Sequence, residues 1–359
     1  MGFLKRILTK KEKSIQSYSD FWEWFTNNED TFFFVVKEHK NIESDFFSKL
    51  SPKLNQLKKG FFFLTGMLND NTAELILTAD GNIKNIAFAE DLVSAAPNFD
   101  NWKITALKPS SDIKNVSIKM DGFDFNKDNL NFIFNENKEF PDLINITIIH
   151  DNYTENNKST IINGTYIFLD NYLGELHFTT IIDDINFVPK KNIDRELISI
   201  DKLKEFINWR EKEFTEKYDG VMHNTDNDSY VMMEAELNSG NMLIAVINKD
   251  LLNWDSKASH PWILVVEIEY DGTKNNGMPN EETYQLLNTI EDEIIKELTD
   301  FDGYLNIGRQ SADGIREIYF ACKDFRKPSK ILYKMEQKYP LLHFDLYKDK
   351  YWQTFKRFE

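Results

Sequence analysis

Cysteine is what this chain has least of. Cys322 is the only one in 359 residues, so no disulfide forms within the chain. A thiolate-built zinc site, which needs at least two cysteines, is excluded. Positive charge is also short: 43 Lys and Arg stand against 59 Asp and Glu, a formal charge of −16. Such a field repels phosphate backbones, which argues against general nucleic-acid binding and for a basic partner. No apolar run is long enough to cross a bilayer. The opening Met1-Gly2-Phe3-Leu4-Lys5-Arg6-Ile7-Leu8 is too short and interrupted for a signal peptide, and Arg6 stands where myristoylation wants Ser or Thr. Lys5, Arg6, Lys10, Lys11 and Lys13 leave a basic membrane anchor conceivable, but a frayed polar end is the expectation, in a cytoplasmic protein without a membrane partner.

Motifs of chemistry are missing as well. The six histidines, at 39, 150, 177, 223, 260 and 343, form neither H-x-H nor H-E-x-x-H, and no G-x-S-x-G elbow occurs. No metal and no cofactor is expected. Cys322 lies in an apolar strand pattern with Ile318 and Phe320, which reads as a buried thiol rather than a nucleophile.

Apolar material is plentiful: hydrophobic residues make up 41% of the chain and Phe alone occurs 29 times, enough for packed cores. The length favours two domains. In the first, 14–188, a helix near 14–28 carries Phe21, Trp22 and Phe25. The run Thr31–Val36 reads as a strand buried on both faces. A helix follows through Phe47, Leu50, Leu54 and Leu57, with a kink or break expected near Ser51 because of Pro52, and Gly60 ending it. Strands Phe61–Leu68 and Ala73–Ala79, a helix over 85–96 and strand Trp102–Leu107 complete a β-α-β-β-α-β series. Strands near 115–120, 130–135 and 143–150, a helix over 158–173 packing Ile162, Tyr166, Leu169 and Leu173, and a strand over 176–182 extend it.

Polar Pro189–Ser199 marks the boundary to a second domain, 199–359. It opens with a helix over 200–218 and a hairpin, 230–237 with 241–248. The series then recurs: strand 261–270, a helix burying Leu287, Ile290, Ile294 and Leu298, strands 303–310 and 315–322, a helix opened by Pro328, and strand 342–347. The fold class is thus α+β in two domains, each with a ferredoxin-like β-α-β-β-α-β series and additional strands and helices.

Gly308-Arg309, then Asp313-Gly314-x-Arg316-x-x-Tyr319, then Asp349-x-x-Trp352 resemble the bacterial family called domain of unknown function 695, over roughly 200–359. The first half, through Glu74–Gly81 and Ala95-Ala96-Pro97 followed by Trp102, is similar to the N-terminal domain that often precedes that family. The resemblance implies architecture and no chemistry. At the level of fold it also implies similarity to the ribonuclease E regulator B group of small acidic protein inhibitors.

Two constellations stand out. Arg309 and Arg316 flank the turn that holds Asp313, with Trp352 in the same family pattern. A four-residue loop would set the arginines directly opposite each other, needing an anion or acidic side chain between them. A two-residue Asp313-Gly314 turn would not. Separate salt bridges to the chain's own carboxylates are the plainer alternative. The second constellation is Glu267 with Glu269, and Glu234 with Glu236, each pair on one strand face. It is either a carboxylate cluster or solvated strand surface. The resulting expectation is a non-catalytic binding or regulatory protein acting on a protein partner, in its most concrete form an inhibitor or immunity protein. The alternatives are a hydrolase or transferase using the carboxylates, or a small-anion sensor at the arginines.

Overall fold

The computed structural model describes residues 14–358; the basic N-terminal segment lies outside them. The chain is α+β and divides into two compact units. One comprises the described residues up to Asp80 together with Phe88–Lys108; the other comprises Gly81–Ala87 and the chain from Pro109 onward.

In the first unit, α1 (Tyr18–Thr26) starts where the Ser17 side chain accepts from the Asp20 N–H, and it buries Phe21, Trp22 and Phe25. The expected strand at 31–36 is instead part of α2 (Glu29–Glu38), with Phe32, Phe33 and Val36 buried and Phe34 61% exposed. A short apolar run has no periodicity that separates strand from buried helix. Here the acids Glu29 and Asp30 at the start and Lys37 at the end favour the helix through its dipole. Of the kink or break expected near Ser51, no break occurs. The departure from α geometry comes a turn earlier, in π-wound Glu43–Phe47. It runs on into α3 (Ser48–Leu57), which contains Pro52 and ends before Gly60. Then β1 (Phe62–Asn69) pairs antiparallel with β2 (Thr72–Thr78), and α4 (Ile83–Ser94) leads to β3 (Trp102–Ala106), parallel to β2. With α2 in place of the first strand, the first β-α-β-β-α-β series is not formed. The core is aromatic: Phe25, Phe32, Phe46 and Trp102 meet at centroid distances of 5.0–5.9 Å.

The second unit opens with a small hairpin, β4 (Ile118–Met120) and β5 (Phe123–Phe125). It continues through β6 (Leu130–Phe134), β7 (Asn145–His150), α5 (Lys158–Leu173), α6 (Glu175–Thr180), β8 (Asp184–Phe187) and β9 (Ile198–Ser199), in a sheet ordered β8-β7-β6-β9. Of residues 176–182, expected as a strand, 176–180 are helical, in α6. Phe178 and Ile181, three apart, pack on the same core, so helical spacing wins over the β-branched composition. In α5 the inward face is Ile161, Thr165, Phe168, Leu169 and Tyr172, and Tyr166 faces out. The same core receives Ile200 and, from α7 (Leu203–Tyr218), Leu203 and Ile207.

After α7 come β10 (Tyr230–Glu236), β11 (Met242–Asn248), α8 (Lys249–Leu252), β12 (Trp262–Glu269), α9 (Glu281–Glu297), β13 (Tyr304–Ala312), β14 (Ile315–Cys322), α10 (Arg326–Lys338) and β15 (Leu342–Lys348), closed by a 3₁₀ turn at Gln353–Phe358. The strand-helix-strand-strand-helix-strand order expected from 262 onward is therefore present. Six strands form one sheet in the order β10-β11-β13-β14-β12-β15, each neighbour antiparallel. Leu264, Val266 and Ile318 lie on one face, the face of α9; Ile263, Val265 and Tyr319 lie on the other, under Trp352, Phe355 and Phe358.

A bulge interrupts β13, where the register with β14 shifts between Asn306 and Gly308. Gly308 has φ +136°, and a Cβ there would meet the Val246 carbonyl oxygen at 2.2 Å, so only glycine fits. Charged seams join the parts of this unit. Asp183 takes Lys348 on Oδ1 at 2.7 Å, and Lys350 at 2.7 Å and the Ile144 N–H at 2.7 Å on Oδ2. Asp142 accepts from Lys217, Tyr218 and Tyr351, and these bonds hold its carboxyl below the usual range against the effect of burial.

Candidate anion-binding site

The β13–β14 hairpin turns on two residues. Asp313 and Gly314 both take positive φ, +46° and +79°, the backbone that suits the twist of a tight hairpin. The register then places Arg309 opposite Ile318 and Arg316 opposite Ser311. The arginines are not opposed. They are diagonal neighbours on one face, the face covered by α9.

α9 begins where the Asn280 side chain accepts from the Thr283 N–H at 2.9 Å. Its inward stripe is Leu287, Ile290 and Ile294, and within that stripe stands a carboxylate, Glu291. One oxygen of Glu291, Oε2, accepts from Arg309 Nη1 at 2.9 Å and lies 3.7 Å from Arg316 Nη1. The acidic group between the arginines is thus the protein's own. It is a single shared carboxylate rather than two separate salt bridges.

Arg316 is buried, 2% exposed. Its Nε donates to Ser311 Oγ at 3.1 Å and its Nη1 to Asn288 Oδ1 at 2.9 Å, and its guanidinium lies 5.2 Å over the Tyr284 ring. Burial first, and then the positive charge of Arg309, lower its pKa from the ordinary arginine value, with Glu291 opposing. Beside these groups opens a cavity of about 300 Å³. Arg309, Arg316 and Ser311 line its polar side; Met232, Ile244, Val246, Met278, Pro279 and Tyr284 make the rest. Two guanidiniums against one carboxylate leave a net positive charge in a mostly apolar recess. That is the chemistry for holding a monoanion, and a carboxylate matches the guanidinium fork best.

The other expected site residues fall elsewhere. Asp313 accepts from Asn241 Nδ2 at 2.7 Å and Ser239 Oγ at 3.2 Å, tying the tips of the two hairpins together. Trp352 lies on the opposite face of the sheet, buried, with φ +54° and its Nε1 donating to the His260 carbonyl at 3.0 Å. Glu267 and Glu269 are exposed on that same face, Glu267 opposite Glu317 and His343. Glu234 and Glu236 are exposed on β10, on the arginine face. The two pairs therefore stay on opposite faces, and no group of three or more His, Cys, Asp or Glu that could hold a metal ion exists among the described residues. Cys322 is fully buried, which raises its thiol pKa well above the ordinary value.

Sequence reasoning missed Glu291, Asn288 and Tyr284. A signal for the first was present: Glu291 is four residues after Leu287 and three before Ile294, a charge on an apolar stripe.

Residues from β10 to β15 thus form a six-stranded antiparallel sheet with a cationic recess under a helix. Residues 228–358, which carry that sheet and recess, match a family model described as "Family of unknown function (DUF695)". No curated protein and no solved structure matches the chain.

Proposed function

We propose that this chain is a non-catalytic binding protein that regulates a protein partner, and that the cavity at Arg309 and Arg316 takes an acidic group of that partner. One observation carries the reading: two guanidiniums, one of them buried, share a single carboxylate beside an open recess. The chain's charge of −16 supplies long-range attraction to a partner that is basic overall, and the recess supplies selectivity for one carboxylate on it. An inhibitor or immunity role, masking a basic surface, is the concrete form. The likeness of the first half to the domain that commonly precedes this family, and of the second to the ribonuclease E regulator B group, belongs to the same proposal. A free small carboxylate would use the same cavity, which makes anion sensing the second reading.

The test is affinity capture at low salt with the parent chain and an Arg309→Gln variant, beside thermal melting with acetate. A protein retained by the parent and lost by the variant supports partner binding. A melting rise with acetate in the parent but not the variant, with no protein differing between the captures, turns the reading to anion sensing. Equal capture and equal melting in both chains would sink the role of the cavity.

A further inference from the structure

The first unit ends its sheet on an unusual strand. β1 is the outer strand of the order β1-β2-β3, and its other edge has no strand or backbone partner among the described residues. Phe61–Asn69 holds no charge and no proline, the two devices that ordinarily blunt an edge against pairing. On the open face Phe62, Leu64 and Leu68 are about half exposed, while Phe63, Thr65 and Met67 face the core.

Gly66 sits in the middle of this strand. Its φ is not positive, and a Cβ added there would meet no atom of the described residues within 4 Å. Neither conformation nor crowding within the chain calls for glycine, which weakens a strand interior.

We infer that this edge pairs with a second copy of the chain, β1 against β1 antiparallel about a twofold axis through Thr65. In that register Thr65 faces its own copy, Leu64 faces Gly66, Phe63 faces Met67 and Phe62 faces Leu68. The space beside Gly66 receives the partner copy's Leu64, so the glycine has a use only in the pair. The charges agree as well. Lys59 and Asp70 are exposed and make no ion pair among the described residues; they stand at opposite ends of the strip, and antiparallel pairing brings the lysine end of each copy to the aspartate end of the other, twice. Two chains at −16 repel, and this uncharged strip with a lysine at one end and an aspartate at the other is where they can meet. The twofold pairing is isologous and closes at a dimer with a continuous six-stranded sheet.

Sedimentation over a concentration series, with oxidative crosslinking of a Thr65→Cys variant, tests this. The buried Cys322 stays silent. Position 65 faces itself at about 5 Å, so Thr65→Cys gives a crosslinked dimer. In an Asn69→Cys control the two thiols stand about 26 Å apart along the strands, and no crosslink forms. Leu64→Lys sets like charges on diagonal neighbours and abolishes the dimer. Gly66→Val fills the space Leu64 needs and abolishes it too, while melting no lower than the parent as a monomer. A parent chain that sediments as a monomer throughout, crosslinks formed equally at 65 and 69, or a Gly66→Val chain that still dimerises would each overturn the inference.

Discussion

Replacing Glu291 by Gln removes one negative charge and almost nothing else. The side chain keeps its length, Asn288 and Ser311 still hold Arg316, and two guanidiniums are left facing each other. Breaking a buried ion pair by removing one partner costs about 3–5 kcal/mol. The lower end applies here, because the Arg309 side chain is 29% exposed and water relieves part of its charge. A loss of about 3 kcal/mol in a unit of this size lowers Tm by roughly 6–12 °C. The recess beside the two uncompensated guanidiniums is an anion site, so acetate at about a hundredfold excess over its Kd restores about 2.7 kcal/mol, nearly the whole loss. Differential scanning calorimetry at constant ionic strength, with chloride exchanged for acetate, reads both quantities. Glu293→Gln, whose ion pair with Lys338 lies at the surface, is the control and responds to neither. A variant as stable as the parent, or a loss that acetate repairs no better than chloride, would refute the assignment of Glu291 as the internal stand-in for a bound anion.

Other expectations follow from the same structure. Asp183→Asn strands two nearly buried lysines, Lys348 and Lys350, and lowers stability by about 3–5 kcal/mol, seen as a fall in urea midpoint at unchanged m. His260 is held to a pKa of about 3, chiefly by burial and then by Lys323 and His223. The unfolded chain binds that proton near the ordinary value of about 6.5 while the folded chain does not until about 3, so stability falls as pH drops through this window; between pH 7 and 5 the loss is about 2 kcal/mol. His260→Asn removes that share of the pH dependence, checked by urea midpoints at the two pH values. Phe34→Lys changes stability by less than about 0.5 kcal/mol, whereas Phe33→Lys in α2 melts the first unit early; equally severe losses would restore a strand at 31–36.

Where local pattern and tertiary packing agree, the sequence was legible. The β1–β2 hairpin, α5 and everything from β12 to β15 have alternation or a helical stripe bounded by capping or turn residues. Residues 31–36 failed because five consecutive apolar residues, 32–36, carry no phase, and only the exposure of Phe34 shows the helical one. The strand reading of 176–182 failed because β-branched composition pointed to a strand while Phe178 and Ile181 needed one helical face. At the site, both arginines were visible from the sequence, but their relation was not. It depends on a two-residue turn, on the bulge before Gly308, and on a glutamate contributed from a helix 18 residues earlier.

That bulge sets the phase of the residues before it in β13 against that of the residues after it. Two residues, Ile307 and Gly308, stand opposite Tyr319 where an unbroken ladder would have one. Were the same residues to continue as an unbroken ladder from Asn306 opposite Phe320, Arg309 would fall beside Glu317 on the Trp352 face, and the recess under α9 would hold one guanidinium against one carboxylate and be neutral. The sign of the cavity is therefore written in backbone register as well as in side-chain identity. A chain that paired these same residues without the bulge would have the same composition of charge and no cationic site.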